Sequence, residues 1–245
     1  MTLHDALQSA VKWGLLGRNP ADAVDPPKFQ RPEMQTLDED GVRKFLSVAE
    51  STRWYPIVYL ALFTGLRRSE LLALRWDDVD LDLGRLYVNR SVHRLRDGSI
   101  VFRSPKSAKG RRMVALPPSA SLMLREHRES ETVRRLLVEG GPVTGHQLLF
   151  ARIDGTPVPP DSLTQAWGML AKKAGFQGIR LHDARHTHAT LLLKQDVHPK
   201  IVQERLGHST IATTLDIYSH VVPGLQEAAA RAFDIVVDVT KVEAP

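Results

Sequence analysis

Cysteine is absent from the 245 residues, which excludes disulfides, thiolate zinc sites and cysteine nucleophiles and fits a reducing compartment. Long apolar runs are also missing. The longest, residues 57–66, is about half the roughly 20 residues that a membrane-spanning helix needs. No basic-then-apolar signal opens the chain, so the expected location is cytoplasmic, with no membrane partner. Aromatics are scarce at 6%, and neither sign of charge dominates: 33 Lys plus Arg face 28 Asp plus Glu, a net +5 with pI near 9.6. That mild excess suits a polyanion partner without requiring one. The 42% apolar and 25% charged content is that of an ordinary globular chain. Its length holds one large domain, or one domain and a fragment. There is no internal repeat and no low-complexity segment.

What is present concentrates in residues 181–220, LHDARHTHATLLLKQDVHPKIVQERLGHSTIATTLDIYSH. Leu181, Ala184, Thr187/His188 and Leu191/Leu192 recur at three- and four-residue steps, predicting an amphipathic helix over 181–194. On it His182 and Arg185 are i and i+3 and share a face. Pro199 suits the first position of a second helix that runs to Leu206 and is broken by Gly207. Ser209 or Thr210 can cap a third helix, which carries Tyr218 and leaves His208 on the loop before it. An Arg fork matches two phosphate oxygens. A His donates a hydrogen bond or moves a proton near neutral pH, and a Tyr, with a reference pKa of about 10, is a nucleophile once its proton has an acceptor. Together they suit attack of a phenol on a phosphodiester. The plainer alternative is that the His and Arg residues cap helices and Tyr218 packs.

HDARHTHAT followed by LGHSTIATTLDIYSHV resembles the C-terminal signature of the tyrosine recombinase (phage integrase) family. That signature is HxxR, then LGH, then a Tyr about ten residues on, here His182, Arg185, His208 and Tyr218. The resemblance demands an upstream Arg in a TGxR context and a Lys on a β-hairpin. TGLRRSELLALRW supplies the first: Arg67 stands at the catalytic-Arg position, opening a helix expected over 69–75, with Glu70 one turn on to hold it. RLYVNRSV, SIVFRS and RRMVALP read as strands, with turn signals at Asp97-Gly98 and at 108–110. Between the last two strands sits SPKSAKGRR, where Lys106 matches the hairpin Lys. The residue after it, Ser107, departs from the usual Thr or Gly, and Lys109 is a rival for the role. Lys109, Arg111 and Arg112 are expected to neutralise DNA phosphates; the alternative is a solvated hairpin tip.

The expected fold class is α+β, mainly α-helical, a recombinase catalytic domain with a small antiparallel β-sheet or hairpin on one edge. Residues 2–16 read as an amphipathic helix with Thr2 and Asp5 at capping-box spacing, and 19–35 as a Pro-rich linker. By resemblance, residues 1–35 are the truncated end of a core-binding (SAM-like) domain plus linker, and 36–245 the catalytic domain with a C-terminal tail helix. Further helices are expected over 36–50 with Thr36 as cap, 55–64 in the core, 118–139, and 161–174 with Asp161 as cap. In the family, a tail like the one from Pro223 docks on a neighbouring subunit; packing on its own molecule is the alternative.

The resemblance implies a site-specific DNA recombinase or integrase that breaks and rejoins DNA through a 3′-phosphotyrosyl intermediate, integrating or excising a mobile element without metal or cofactor. Tyr218 would attack the scissile phosphate while Arg67 and Arg185 clamp its non-bridging oxygens. Lys106 would protonate the leaving 5′-oxygen, His208 would donate to a non-bridging oxygen, and His182 would orient the site or accept the Tyr proton. Implied partners are double-stranded DNA, a homo-tetramer assembled on DNA through the tail (a monomer without DNA stays open), and accessory DNA-bending proteins. Three rival readings stand beside this one. His182, His186 and His188 invite a metal reading, but the helix has no Glu and Arg185 sits at its centre. A DNA-binding regulator on an inactive recombinase fold would not need every motif intact. A type IB topoisomerase shares the chemistry, but the LGH-to-Tyr wording favours the integrase branch.

Overall fold

The computed structural model describes residues 2–25, 35–104, 110–138, 147–212 and 214–215, with the side chains of 135–138 excepted. It divides into two compact units, Met1–Glu33 and Met34–Pro245.

In the first unit, α1 (Leu3–Lys12) opens on a reciprocal cap. Asp5 N donates to Thr2 Oγ1 at 3.2 Å and Thr2 N to the Asp5 carboxylate at 3.0 Å, the pairing the spacing predicts. The helix stops short of the expected residue 16 because the chain turns at Gly14, φ 72°. Asn19 caps a short 3₁₀ turn, Pro20–Ala23. None of α1 is buried, and Leu3 and Trp13 are exposed. The rest of the Pro-rich stretch, 26–34, lies outside the described residues.

The second unit begins with α2 (Glu39–Glu50), capped by Asp38, whose carboxylate accepts from Gly41 N at 2.8 Å, rather than by Thr36. Next, α3 (Tyr55–Thr64) is apolar on every side and lies in the core, as its composition predicts. It ends at Gly65 in the left-handed conformation, φ 63°. Helix α4 (Arg68–Leu71) is shorter than the expected 69–75. Its continuation is diverted by pairing, since Leu149 N donates to Leu74 O and Trp76 N to Gln147 O.

The strands are β1 (Val79–Asp80), β2 (Arg85–Val88), β3 (Ser91–Arg94), β4 (Ile100–Arg103) and β5 (Arg112–Ala115). They form an antiparallel sheet in the order β1-β2-β5 and a separate β3–β4 hairpin closed at Gly98. RLYVNRSV is therefore two strands, not one. The bend between them is held by Asp78, which accepts from Asn89 at 2.9 Å and Arg90 at 2.7 Å. The last two strands do not pair with each other: β4 pairs β3 and β5 pairs β2. The chain thus leaves β4 in one sheet and enters β5 in another, so these two strands are not the arms of one hairpin. Lys106 and Lys109, within 105–109, lie outside the described residues.

Helix α5 (Pro118–Val138) follows, then α6 (Pro160–Lys173). Asp161 does not cap α6; it sits in the first turn and pairs with Arg94 at 2.7 Å. Trp167 of α6 and Phe45 of α2, both fully buried, pack with ring centroids 4.4 Å apart in the main core. Helices α7 (Leu181–Lys194) and α8 (Pro199–Leu206) occupy the residues their periodicity predicts. They share a small cluster of Ala189, Leu193, Val202 and Leu206. The protein is mainly helical with small antiparallel sheets. Among the described residues no helix is long and apolar enough to cross a membrane.

Candidate active site

A helix leaves its last carbonyls without intrahelical partners, and its C-terminus carries the negative end of the dipole. At the end of α8, arginines from three other elements take three successive carbonyls. Arg112 Nε donates to Arg205 O at 2.8 Å, Arg185 Nη2 to Leu206 O at 2.6 Å and Arg67 Nη2 to Gly207 O at 3.0 Å. Arg185 Nη1 also donates to Gly65 O at 2.8 Å, so its fork bridges the ends of α3 and α8. Two glycines make this approach possible. Both have positive φ, and a Cβ on Gly65 would stand 2.5 Å from Leu206 Cδ2, one on Gly207 2.9 Å from Arg112 Nη1.

Glu70 faces the cluster as its counter-charge. One carboxylate oxygen accepts from Arg67 Nη1 at 2.8 Å and Arg112 Nη1 at 3.1 Å; the other accepts from Arg67 N at 2.9 Å and Arg112 Nη2 at 2.8 Å. Burial pushes its pKa up, but the bonds and charges of Arg112 and Arg67 outweigh that and hold it below the ordinary carboxylate value. The positive side is in excess. Burial, then the charge of Arg67 against the pull of Glu70, with Arg112 adding to the repulsion, brings Arg185 down to about 9. It remains a cation at neutral pH, in a site short of negative charge.

His208 follows these carbonyls directly. Its N donates to Gln203 O at 3.1 Å and its O accepts from Gln203 Nε2 at 3.2 Å, fixing the backbone. The ring lies with Nδ1 2.9 Å from Thr214 Oγ1. Burial, reinforced by Arg185, Arg67, His186 and Arg112, lowers its pKa to about 4, so the imidazole is neutral at physiological pH. His182 stands exposed on the first turn of α7, its ring edge-on to His186 with centroids 4.9 Å apart. Its pKa is lowered by burial and then by Arg185. Among the described residues no group of three side chains is placed to hold a metal.

The structure thus brings together Arg67, Glu70, Arg185 and His208, with His182 beside them. It places Arg112 differently from the sequence reading. Instead of facing a DNA phosphate, Arg112 is 6% exposed and its fork is committed to Glu70 and Arg205 O. Arg111 is exposed. Tyr218, Lys106 and Lys109 lie outside the described residues, as does the tail expected from Pro223. Sequence reasoning missed Arg205 and Thr214, and it took His188 for a helix-face position or a metal ligand rather than the partner of Arg205. Arg205 donates to His188 Nε2 at 2.9 Å, Ala115 O at 2.9 Å and Phe63 O at 3.0 Å, tying α8 to α7, β5 and α3. No periodic signal marks it. Arg112 did carry one: strand alternation puts it on the same face as buried Val114.

Guanidinium forks and a neutral imidazole around one excess of positive charge are the kind of donor set that an anion with several oxygens calls for. The family model of the phage integrase family matches residues 35–223. The chain belongs to the phage integrase family. It is 31% identical to the ICEBs1 integrase of Bacillus subtilis strain 168, over 95% of this chain and 63% of that protein. It is 33% identical to the tyrosine recombinase XerA of Thermococcus kodakarensis, over 86% of this chain and 67% of that one. The ICEBs1 integrase and a XerC-like recombinase of Caldanaerobacter subterraneus are longer proteins, and the chain spans 63% and 59% of their lengths. Among solved structures, a XerA recombinase superposes with a TM-score of 0.63 at 28% identity, covering 93% of this chain and 73% of that one. The Tn1549 transposon integrase, solved with a circular-intermediate DNA, shares the fold with a TM-score of 0.77 at 22% identity, over 94% and 76%.

Proposed function

We propose that this integrase-family chain is the catalytic portion of a site-specific recombinase that cuts and rejoins double-stranded DNA. The observation that carries the reading is the pair of forks, Arg67 and Arg185, seated on the adjacent carbonyls of Gly207 and Leu206 beside neutral His208. Tyr218 Oη forms a bond to the scissile phosphorus as the bond to the 5′-oxygen breaks. The phenolic proton leaves to a base, for which His182 is the candidate, and Lys106 gives a proton to the departing 5′-oxygen. Arg67 and Arg185 hold the non-bridging oxygens, where negative charge grows, and His208 donates to one of them. One phosphodiester replaces another, so no external energy source is needed, and attack by a second strand's 5′-hydroxyl reverses the step. Guanidinium and imidazole supply the charge stabilisation, with no cofactor in the scheme.

Residues 1–35 read as the end of a core-binding domain and its linker. Assembly as a tetramer on DNA through the C-terminal tail fits the family. One relative of this fold has been solved as a lambda integrase tetramer bound to a Holliday junction. Arg111 and Lys109 remain candidates for phosphate contacts on the DNA backbone.

The test uses the whole chain and nicked duplexes spanning the junctions that flank its gene. The wild type should give a covalent protein–DNA adduct that withstands denaturing electrophoresis, in buffer containing a strong chelator. Tyr218→Phe should retain DNA binding and give none. An adduct from Tyr218→Phe, or wild-type cleavage that depends on added metal, overturns the assignment.

A further inference from the structure

After α8, among the described residues, the chain makes a helical turn closed at Thr214 and Leu215. Thr214 N and Leu215 N both donate to Ile211 O at 2.9 Å. This turn buries Thr214 completely, an unusual place for a hydroxyl; it lies within the LGH-to-Tyr stretch but has none of the roles assigned above. A hydroxyl so buried loses about 1–3 kcal/mol unless it is hydrogen-bonded. Its partner is Nδ1 of His208, at 2.9 Å.

We infer that Thr214 is a positioning residue: its hydroxyl donates to Nδ1 of His208 and so locks that ring as the Nε2–H tautomer, with the N–H turned to the anion seat. The inference rests on the recombinase reading for its purpose, but its geometry is independent of it. A neutral imidazole has one donor and one acceptor nitrogen, and the bond at one nitrogen decides the other. The backbone of His208 is pinned on both sides by Gln203. With Nδ1 taken by Thr214, Nε2 is the nitrogen left to a ligand. A lone pair there would repel a phosphate oxygen; an N–H would bind it. Burial first, and then the facing groups Arg185, Arg67, His186 and Arg112, lower the proton affinity of this ring. A second proton is therefore unavailable, and donation to an anion depends on the correct single one. Thr214 also stands four residues before Tyr218. The segment bearing the nucleophile would then also set the tautomer of the imidazole that assists it.

The experiment is ¹⁵N–¹H long-range NMR of the histidine rings in the full chain, with His208 assigned by its loss in His208→Gln. Wild type should show His208 as Nε2–H with an unprotonated Nδ1 at pH 7. Thr214→Val, nearly the same shape without the hydroxyl, should shift it to a mixture of tautomers, and Thr214→Ser should restore the wild-type signal. Adduct formation on the nicked duplex should fall on the order of tenfold or more in Thr214→Val and recover in Thr214→Ser. A wild-type ring protonated at Nδ1, or an unchanged tautomer in Thr214→Val, overturns the inference. If the tautomer behaves as stated but the wild type never forms an adduct, the recombinase reading fails and the tautomer lock stands.

Discussion

Arg112 shows how one side chain changes meaning between a string and a fold. In KGRRM it reads as one of a run of surface cations. In space its fork closes on Glu70 with two bonds, at 3.1 and 2.8 Å, while Arg67 takes the same carboxylate from the other side. Removing one partner of a buried ion pair strands the other charge and costs about 3–5 kcal/mol. Arg112→Met should therefore lower the free energy of urea unfolding by about 3 kcal/mol, with Glu70 left to Arg67 alone. Arg111→Met, its exposed neighbour, should change it by less than about 0.5 kcal/mol. DNA binding separates the two in the opposite sense. Loss of a phosphate contact flattens the dependence of log K on log salt by about one, and only Arg111→Met should do this. An unchanged slope in Arg111→Met would remove Arg111 as a phosphate contact, and a flattened slope in Arg112→Met would return Arg112 to that role.

At the scale of elements, the join between α3, α7, α8 and β5 depends on a histidine staying uncharged. Arg205 Nε can only donate, so His188 Nε2 must accept, and the ring proton sits on Nδ1, bonded to Leu62 O at 2.9 Å. Burial, and then the facing charge of Arg205, push the pKa of His188 to about 3 from an ordinary 6.5. The sign follows: below 6.5 the unfolded chain takes up a proton that the folded chain refuses, so stability falls as pH drops from 6.5 towards 3. One such proton is worth about 1.4 kcal/mol per pH unit, and His208 adds a second over its own range down to about 4. Urea unfolding at pH 7, 6 and 5 should show that decline, and His188→Gln, whose amide can replace both bonds, should show a shallower one. A slope untouched by His188→Gln would place the acid sensitivity elsewhere. The helices in this join were legible from sequence because a 3.6-residue period and Pro and Gly stops mark α7 and α8 without tertiary help. What joins them was not. Thr36 and Asp38 are both good caps two residues apart, and only the placement of Gly41 N chooses Asp38. Helix α4 ends early because Leu74 and Trp76 pair with residues distant in sequence. The pairing of β5 with β2 rather than β4 depends on a register that alternation alone does not specify. Arg67, Arg185 and His208, which the motifs mark, meet at the end of α8; the contacts of Arg205 with backbone carbonyls and of Thr214 with one ring nitrogen have no counterpart in spacing or periodicity.

For the molecule as a whole, the seat draws on the α3–α4 turn, β5 and α7, which bring Arg67, Arg112 and Arg185 together with Glu70 on the carbonyls that end α8. Folding therefore gathers like charges from across the sequence, and burial, with the repulsion of Arg67 and Arg112 added to it, brings Arg185 down to about 9. An anion with several oxygens should relieve it, binding the folded state and stabilising it by mass action. At an anion concentration about ten times a millimolar Kd, the gain is about 1.4 kcal/mol, or about 3–5 °C in Tm for a chain of this size. Sulfate also stabilises proteins nonspecifically by exclusion from their surface, so the wild-type shift alone decides nothing. The deciding quantity is the difference from Arg67→Gln, a side chain 39% exposed whose removal opens the seat without emptying the core. In thermal unfolding at fixed ionic strength, exchanging chloride for sulfate should raise Tm more in the wild type than in Arg67→Gln. Phosphate should act as sulfate does, because the fork recognises the oxygens and not the central atom. Equal shifts in the two proteins would mean that the gathered arginines are neutralised by their own surroundings and that no anion seat exists there to receive a DNA phosphate.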